Sequence, residues 1–421
     1  MSLQVKRFYP WLIWLLAASF FFYKYFIQVS PSVMSLDLMR AFDLSGAGLG
    51  HLAACFFYAY LLMQIPAGLI LDRFSPRLVL FCAAFFCAVG TILFAEAHWL
   101  PVAQFSRFLI GLTSAFAAIA CFKLITIWFP PHRFALIAGL SMTAAMLGAI
   151  GGEAPLSYLI SRFDWRQSLE IIAVPGFILA FLILLIVKDK QPKAGLPKQE
   201  GTTFSKLTTI LVSPQTWLLS FYSGLAFAPV SVFGGLWGVS FIEKAYGMNP
   251  VQAASLVSLI FVGFAIGCPL SGWLSDYMQK RKPLMFWGTL MAYISITLIL
   301  YGPITRYMLP CLLFLFGFGT SCFFLCFSMV RETHSLLLAG TALGFMNTFD
   351  ALCEALTEPF VGKLLDLSWS GGLALGARSF SVLDYRFGLS TLPIYLAIAF
   401  CLLFFIRETY CQAQIINPLE K

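Results

Sequence analysis

The sequence predicts an all-α polytopic membrane protein: twelve transmembrane helices in two pseudo-symmetric six-helix bundles. Three observations lead there. Of 421 residues, 60% are hydrophobic and only 11% are charged, and the mean hydropathy is +0.86, so apolar side chains exceed what one soluble core buries. Apolar segments of about 20 residues or more, enough to cross roughly 30 Å of hydrocarbon, follow one another with no soluble domain between them. One motif also recurs after the second segment of each set of six, as an internal duplication requires.

The expected spans are 10–32, 47–71, 78–97, 101–128, 134–160, 167–187, 215–242, 251–275, 284–302, 306–330, 336–365 and 388–406. The opening "RFYPWLIWLLAASFFFYKYF" has basic residues before its apolar run but no small-residue cleavage site, and so reads as a retained first helix. Between spans six and seven, "KDKQPKAGLPKQEGTTFSK" (188–206) breaks the apolar periodicity with Pro, Gly and Lys. The expected organisation is an N-terminal bundle over 1–187, a linker over 188–214, a C-terminal bundle over 215–407 and a tail over 408–421.

Lys and Arg decide the orientation. With both termini on one face, that face receives 16 of them and the opposite face seven: Arg40, Arg162, Arg166, Lys244, Arg306, Arg378 and Arg386. The richer face is expected to be cytoplasmic, in a plasma membrane of bacterial inner-membrane type. This bias accounts for most of the net charge of +8, and no nucleic-acid partner is expected, because no basic patch stands on a folded soluble domain. The 11 cysteines are scattered, many inside apolar spans, and read as packing residues and not as a disulfide frame or metal site.

The repeated motif aligns residue by residue. "GLILDRFSPR" sets Gly68, Asp72, Arg73 and Arg77 after span two, and "GWLSDYMQKR" sets Gly272, Asp276 and Arg281 after span eight. Pro359, Gly362 and Asp366 echo it at the end of span eleven. Taken alone, the basic residues also satisfy the positive-inside bias, whereas acids contribute little to topology.

With its paired motifs, central linker and twelve spans, the chain resembles the major facilitator superfamily of transporters over essentially its whole length. The family's loop motif, Gly-x-Leu-Ala-Asp-Arg-x-Gly-Arg-Lys, is matched by Gly68, Asp72, Arg73 and Arg77, with Ser75 and Pro76 departing from it. "RFLIG" (107–111) is similar to the family's Arg-x-x-x-Gly motif on the fourth helix. The resemblance implies that the loop charges lock the halves together at the cytoplasmic face while the cavity opens outward, and separate when it opens inward. Gly139, Gly148 and Gly152 resemble the fifth-helix motif of drug exporters, but Glu153 stands where that motif has proline, which disfavours drug export. "YKYFIQVSPSVM" and "YLLMQIPAGLILDR" look similar to bacterial members that include phagosomal nutrient transporters.

Charges inside the membrane are costly and mark function by default. Counting about 1.5 Å per residue from each span's start brings Lys24, Arg107 and Glu153 to similar depth in the outer half, as a cluster facing a cavity. A structural ion pair between Arg107 and Glu153, or snorkelling of Lys24, is the alternative. Lys123, near the cytoplasmic end of span four, fits snorkelling better. On span eleven, Asn347, Asp350, Glu354 and Glu358 share one helix face, which lipid cannot cover; a bundle-facing polar seam is the alternative to cavity lining. On span seven, Pro229, Gly234, Gly235 and Gly238 loosen the helix, and Trp237 is placed either to close over a solute or simply to sit near an interface.

A basic N-terminal wall opposite an acidic C-terminal wall suits a zwitterion: substrate binding falls to Lys24, Arg107, Trp237, Asn347 and Asp350, and proton coupling to Glu153 and Glu354, with Asp350 as a further candidate. The expectation is therefore a proton-linked importer of an amino acid or short peptide. It would be a monomer in the bilayer with solute and protons as partners, and would need no cofactor beyond the proton gradient. An organic-anion or siderophore carrier is the alternative within transport, and a transporter-like nutrient sensor outside it. No convergent nucleophile, His pair or phosphate-binding glycine loop points to an enzyme.

Overall fold

The computed structural model describes residues 3–130, 133–189, 210–334, 336–374 and 376–412. Most of the expected linker and tail lies outside the described residues. The N-terminal half comprises helices Leu3–Val29, Gly46–Arg73, Pro76–Ala95, Leu100–Trp128, Phe134–Arg162 and Trp165–Ile186. Spans seven to twelve run Pro214–Tyr246, Pro250–Met278, Lys282–Tyr301, Leu309–Thr333, Leu336–Ser368 and Thr391–Phe405. Eleven helical stretches among the described residues are long and apolar enough to cross a membrane; span eleven, 33 residues with five charged side chains, is the remaining one.

Several span starts are written locally. Ser75-Pro76, Ser213-Pro214 and Asn249-Pro250 each pair a capping side chain with a proline at the first helical position. The cap accepts a backbone N–H that the helix cannot satisfy, and proline occupies a site where its missing N–H costs nothing. Asp164 caps span six in the same way, accepting from Gln167 N at 2.9 Å.

Span seven is not a uniform helix. Its α-helix gives way to a π-helical turn at Phe233–Trp237, containing Gly234 and Gly235, before α-helix resumes at Gly238. The glycines expected to loosen this span thus coincide with a widened turn, a geometry that re-aims the side chains around it. Three small elements were not expected from the sequence: a helix at Ser35–Ala41, a two-stranded hairpin pairing Leu373–Ala374 with Ala377–Arg378, and a capped helix at Val382–Gly388. All three follow the end of a span opposite the linker, where the chain is too short and polar for membrane periodicity to reveal it.

The two halves meet chiefly through span two against span eleven and span five against span eight. They do not meet evenly along their length. At the face opposite the linker, a Cβ added to Gly46 would fall 2.7 Å from Gly362 O, and one added to Gly50 would fall 2.6 Å from Pro359 Cα. Only glycine permits backbones this close. Toward the linker face, a Cβ added to Gly68, Gly139, Gly272, Gly340 or Gly344 would meet nothing within 4 Å among the described residues. Those five glycines lie on spans two, five, eight and eleven, the helices that join the halves. The halves are therefore sealed at the far face and parted at the linker face.

Candidate functional site

The interior polar groups come from facing spans of the two halves. Lys24 of span one is buried, with its Nζ 3.8 Å from the Tyr25 ring centre, 4.8 Å from that of Tyr60 and 5.6 Å from that of Phe56. The acid acting on it across the interface is Glu354 of span eleven. Arg107 of span four also approaches Phe56, its guanidinium 5.3 Å from that ring, and the acid acting on it is Glu358, one turn beyond Glu354. Arg107 also donates to the carbonyls of Ile27 (3.0 Å) and Gln28 (3.4 Å), at the buried C-terminal end of the span-one helix. A cation there satisfies acceptors that the helix leaves open.

Lys24 and Arg107 therefore share one aromatic wall, as the depth count expects, but Glu153 stands apart from them. Gly148 and Gly152 pack against the backbone of Phe22 and Phe26, and this carries Glu153 past the end of span one, where Ser32 Oγ donates to its Oε1 at 2.6 Å. The grouping of Glu153 with the two cations, and its alternative as the ion-pair partner of Arg107, gives way to this serine contact. A count of residues along each helix measures depth but not which side the helix turns inward. Lys123, expected to snorkel, instead donates to Leu71 O at the end of span two.

The face of span eleven is used at every turn. Asn347 approaches the Tyr60 hydroxyl beside Gln64, and Ser223 of span seven donates to Asp350 at 2.5 Å. Glu354 lies against Ser231 as well as Lys24. Two cations thus face Glu354 and Glu358, while Glu153 and Asp350 rest on hydroxyl donors alone among the described residues. Gln28 Oε1, Glu153 Oε2, Arg107 Nε, Glu354 Oε1, Glu358 Oε2 and Trp237 Nε1 are buried with no hydrogen-bond partner among the described residues. Buried polar atoms are normally paired, so such a concentration marks a place built to receive polar groups. Trp237 is fully buried in the π-helical turn.

The sequence does not point to Phe56 and Tyr60 as part of this site. Their rings stack 5.9 Å apart at 13°, four residues apart on one face of span two, and that spacing is the signal that identifies them.

At the linker face, Arg77 and Arg281 of the duplicated motif each bind groups of their own half. Arg281 pairs with Asp276 (2.7 Å) and Glu332 (2.8 Å), and its backbone N–H donates to Glu408. Arg77 donates to Leu184 O at 2.7 Å and, through its backbone, to Asp189. Arg73 is exposed, and the Asp72 side chain lies outside the described residues. Close by, His334 Nε2 pairs with Thr216 Oγ1 at 2.6 Å, and burial holds the ring toward its neutral form by lowering its pKa. No ion pair among the described residues ties the halves together at this face.

At the far face, the span-eleven echo of the motif does cross between the halves. The Asp366 carboxylate accepts from Gly46 N and Ala47 N, both at 2.8 Å, at the N-terminus of span two, and pairs with Arg378 of the hairpin at 2.9 Å. An anion at a helix N-terminus contributes about 0.3–1 kcal/mol, more when partly buried. Asp366→Asn is expected to loosen this latch and raise by a few fold the rate at which a cysteine placed at Gly48 reacts with a thiol reagent added from the far side. An unchanged rate would assign the seal to the glycine contacts alone.

Two pseudo-repeated helical bundles, parted at one face, sealed at the other and enclosing charge between them, define a polytopic carrier of small solutes that works by alternating access. The sequence model of the Major Facilitator Superfamily matches residues 14–357, and the chain belongs to that family. Among its relatives, the lysosomal dipeptide transporter MFSD1 of Danio rerio is 24% identical, the match covering 82% of this chain and 78% of that protein. The probable galactarate/D-glucarate transporter GarP of Escherichia coli (strain K12) is 22% identical over 83% of this chain and 86% of that protein. The crystal structure of a bacterial homologue of the human lysosomal transporter Spinster, inward-facing and unoccupied, superposes with a TM-score of 0.79 at 17% identity, covering 96% of this chain and 98% of that one. This last likeness is one of fold.

Proposed function

We propose that this carrier imports a small zwitterion, an amino acid or short peptide, together with protons. The observation that carries the reading is that Lys24 and Arg107, buried on one half, face Glu354 and Glu358, buried on the other. A solute with a carboxylate and an ammonium complements both walls, offering each set of buried charges a partner of opposite sign. Two further acids, Glu153 and Asp350, have hydroxyl partners and no cation of their own, which supports proton binding as the means of balancing charge. The 16-to-seven bias of Lys and Arg supports a cytoplasmic linker face, so that the present form is open to the cytoplasm. Substrate contact falls to Lys24, Arg107, Trp237, Asn347 and Asp350, and proton coupling to Glu354 and Glu153.

A sugar-acid or other organic-anion carrier is the second reading, favoured by the two N-terminal-half cations and by the kinship with GarP. Uptake into proteoliposomes separates the two. Amino acids and dipeptides are expected to accumulate when an acid-outside pH difference is imposed and only to equilibrate without it. Accumulation of a dianion with no response to any zwitterion would select the second reading.

A further inference from the structure

We infer that the solute carries an uncharged, apolar side chain, which seats in a chamber built jointly by spans one, five, seven and eight. This deepens the zwitterion reading and rests on it. The chamber lies beside the charged groups and shares walls with them. On the N-terminal side its lining includes Tyr25, Gln28 and Met146, and on the C-terminal side Phe227, Ser231, Phe261 and Phe264. Tyr25 is the residue whose ring lies 3.8 Å from Lys24 Nζ, and Ser231 is the residue that Glu354 lies against. A solute bound between Lys24 and Glu354 therefore has its side chain directed past these two residues into the chamber.

The chemistry of the chamber is almost wholly apolar. Phe227 stacks on Phe323 at 4.9 Å with planes 19° apart, and Phe264 closes on both at 6.0 and 5.9 Å. Phe261 lies over the π-helical turn, where a Cβ added to Gly234 would come 2.9 Å from its ring. Met146 supplies a flexible thioether that adapts to differing shapes. Three polar groups interrupt this surface: the Tyr25 phenol, the Ser231 hydroxyl, facing Glu354, and the buried Gln28 amide, whose Oε1 has no hydrogen-bond partner among the described residues. A carbonyl oxygen so placed accepts one N–H from a ligand, either an amino group or a peptide N–H, and nothing in the lining pairs with a charged side chain. Burying an unpaired charge there is prohibitive, whereas each methylene of an apolar side chain favours binding by roughly four-fold.

The chamber has a volume of only about 10 Å³, close to the minimum for one water, so its walls must part to admit a side chain. Because the walls belong to different halves, the rocking that alternates access also sizes the chamber. Side-chain fit is thereby coupled to closure, and a well-fitting apolar group stabilises the closed form that a polar one leaves under-packed.

The test is competition for uptake in proteoliposomes, using leucine, methionine, phenylalanine, alanine, aspartate and lysine, and the dipeptides that carry these side chains. Leucine or methionine is expected to compete at least ten-fold better than alanine, with aspartate and lysine ineffective. Phe261→Ala is expected to shift the ratio toward phenylalanine, and Met146→Phe to shift it toward alanine; a ratio between solutes is independent of how much variant folds. Equal competition by charged and apolar zwitterions, or variants that scale every solute alike, would overturn the side-chain inference and leave the zwitterion reading in place. Failure of every zwitterion would remove both.

Discussion

Glu354→Gln is expected to abolish accumulation driven by a pH difference, with at least a ten-fold loss of initial rate, while exchange of labelled for unlabelled solute at equal pH persists. The side chain is buried on span eleven with Oε1 unpaired, opposite the Lys24 ammonium of the other half. Glutamine keeps the shape and the hydrogen-bonding reach but no longer takes up or releases a proton. It also removes the negative charge that faces the buried Lys24 ammonium, which destabilises the fold as well as the coupling. Adding Lys24→Met is expected to recover folded protein without recovering coupling, so a double-mutant cycle on yield and on uptake separates the structural share from the coupled one. Wild-type accumulation by Glu354→Gln would remove this residue from the coupling path.

Gly362→Leu is expected to hold the far face open and stop turnover, lowering uptake by more than ten-fold. A Cβ at 362 would lie 2.5 Å from Gly46 C and 2.8 Å from Ala47 N, both backbone atoms that cannot rotate away. The far face then cannot close, and the Asp366 carboxylate loses its seat on the start of span two. Gly68→Leu makes the opposite case. The space around Gly68 is open here, so this form tolerates leucine, and the bulk obstructs closure of the linker face instead. Thiol labelling from the two sides reads the difference: interior cysteines in Gly362→Leu react faster with reagent from the far side, and those in Gly68→Leu from the linker side. Each ligand-free equilibrium shifts by the steric cost borne by one of its two forms. Identical labelling of both variants would contradict the assignment of sealed and parted faces.

Most span boundaries were legible because membrane helices announce themselves by length, and because Ser-Pro and Asn-Pro starts carry their own caps. The duplicated motif was legible for a similar reason: glycine, aspartate and arginine at fixed spacing survive inside each half. Contacts between the halves were not. Gly46 and Gly362 are separated by more than three hundred residues, and no local signal shows that they pack on each other while the space around Gly68 and Gly340 is open among the described residues. The span-eleven acids stood out as a stripe on one helix face. Their partners did not, because Lys24, Arg107, Ser223 and Ser231 lie on three other spans whose rotation about their own axes is set by packing. Glu153 shows the limit most clearly: its depth could be counted, but its orientation toward Ser32 depended on two glycines settling against span one.

The account stands on two halves that rock about buried charge, and paired distance measurements during turnover test this most directly. Spin labels at Leu69 and Leu270 report the linker face, and labels at Phe163 and Leu383 report the far face, all four being exposed side chains on opposite halves. The prediction is reciprocal: when solute and a pH difference are supplied, a population appears in which the first distance shortens as the second lengthens. Two distances that stay fixed, or that change in the same sense, would contradict it.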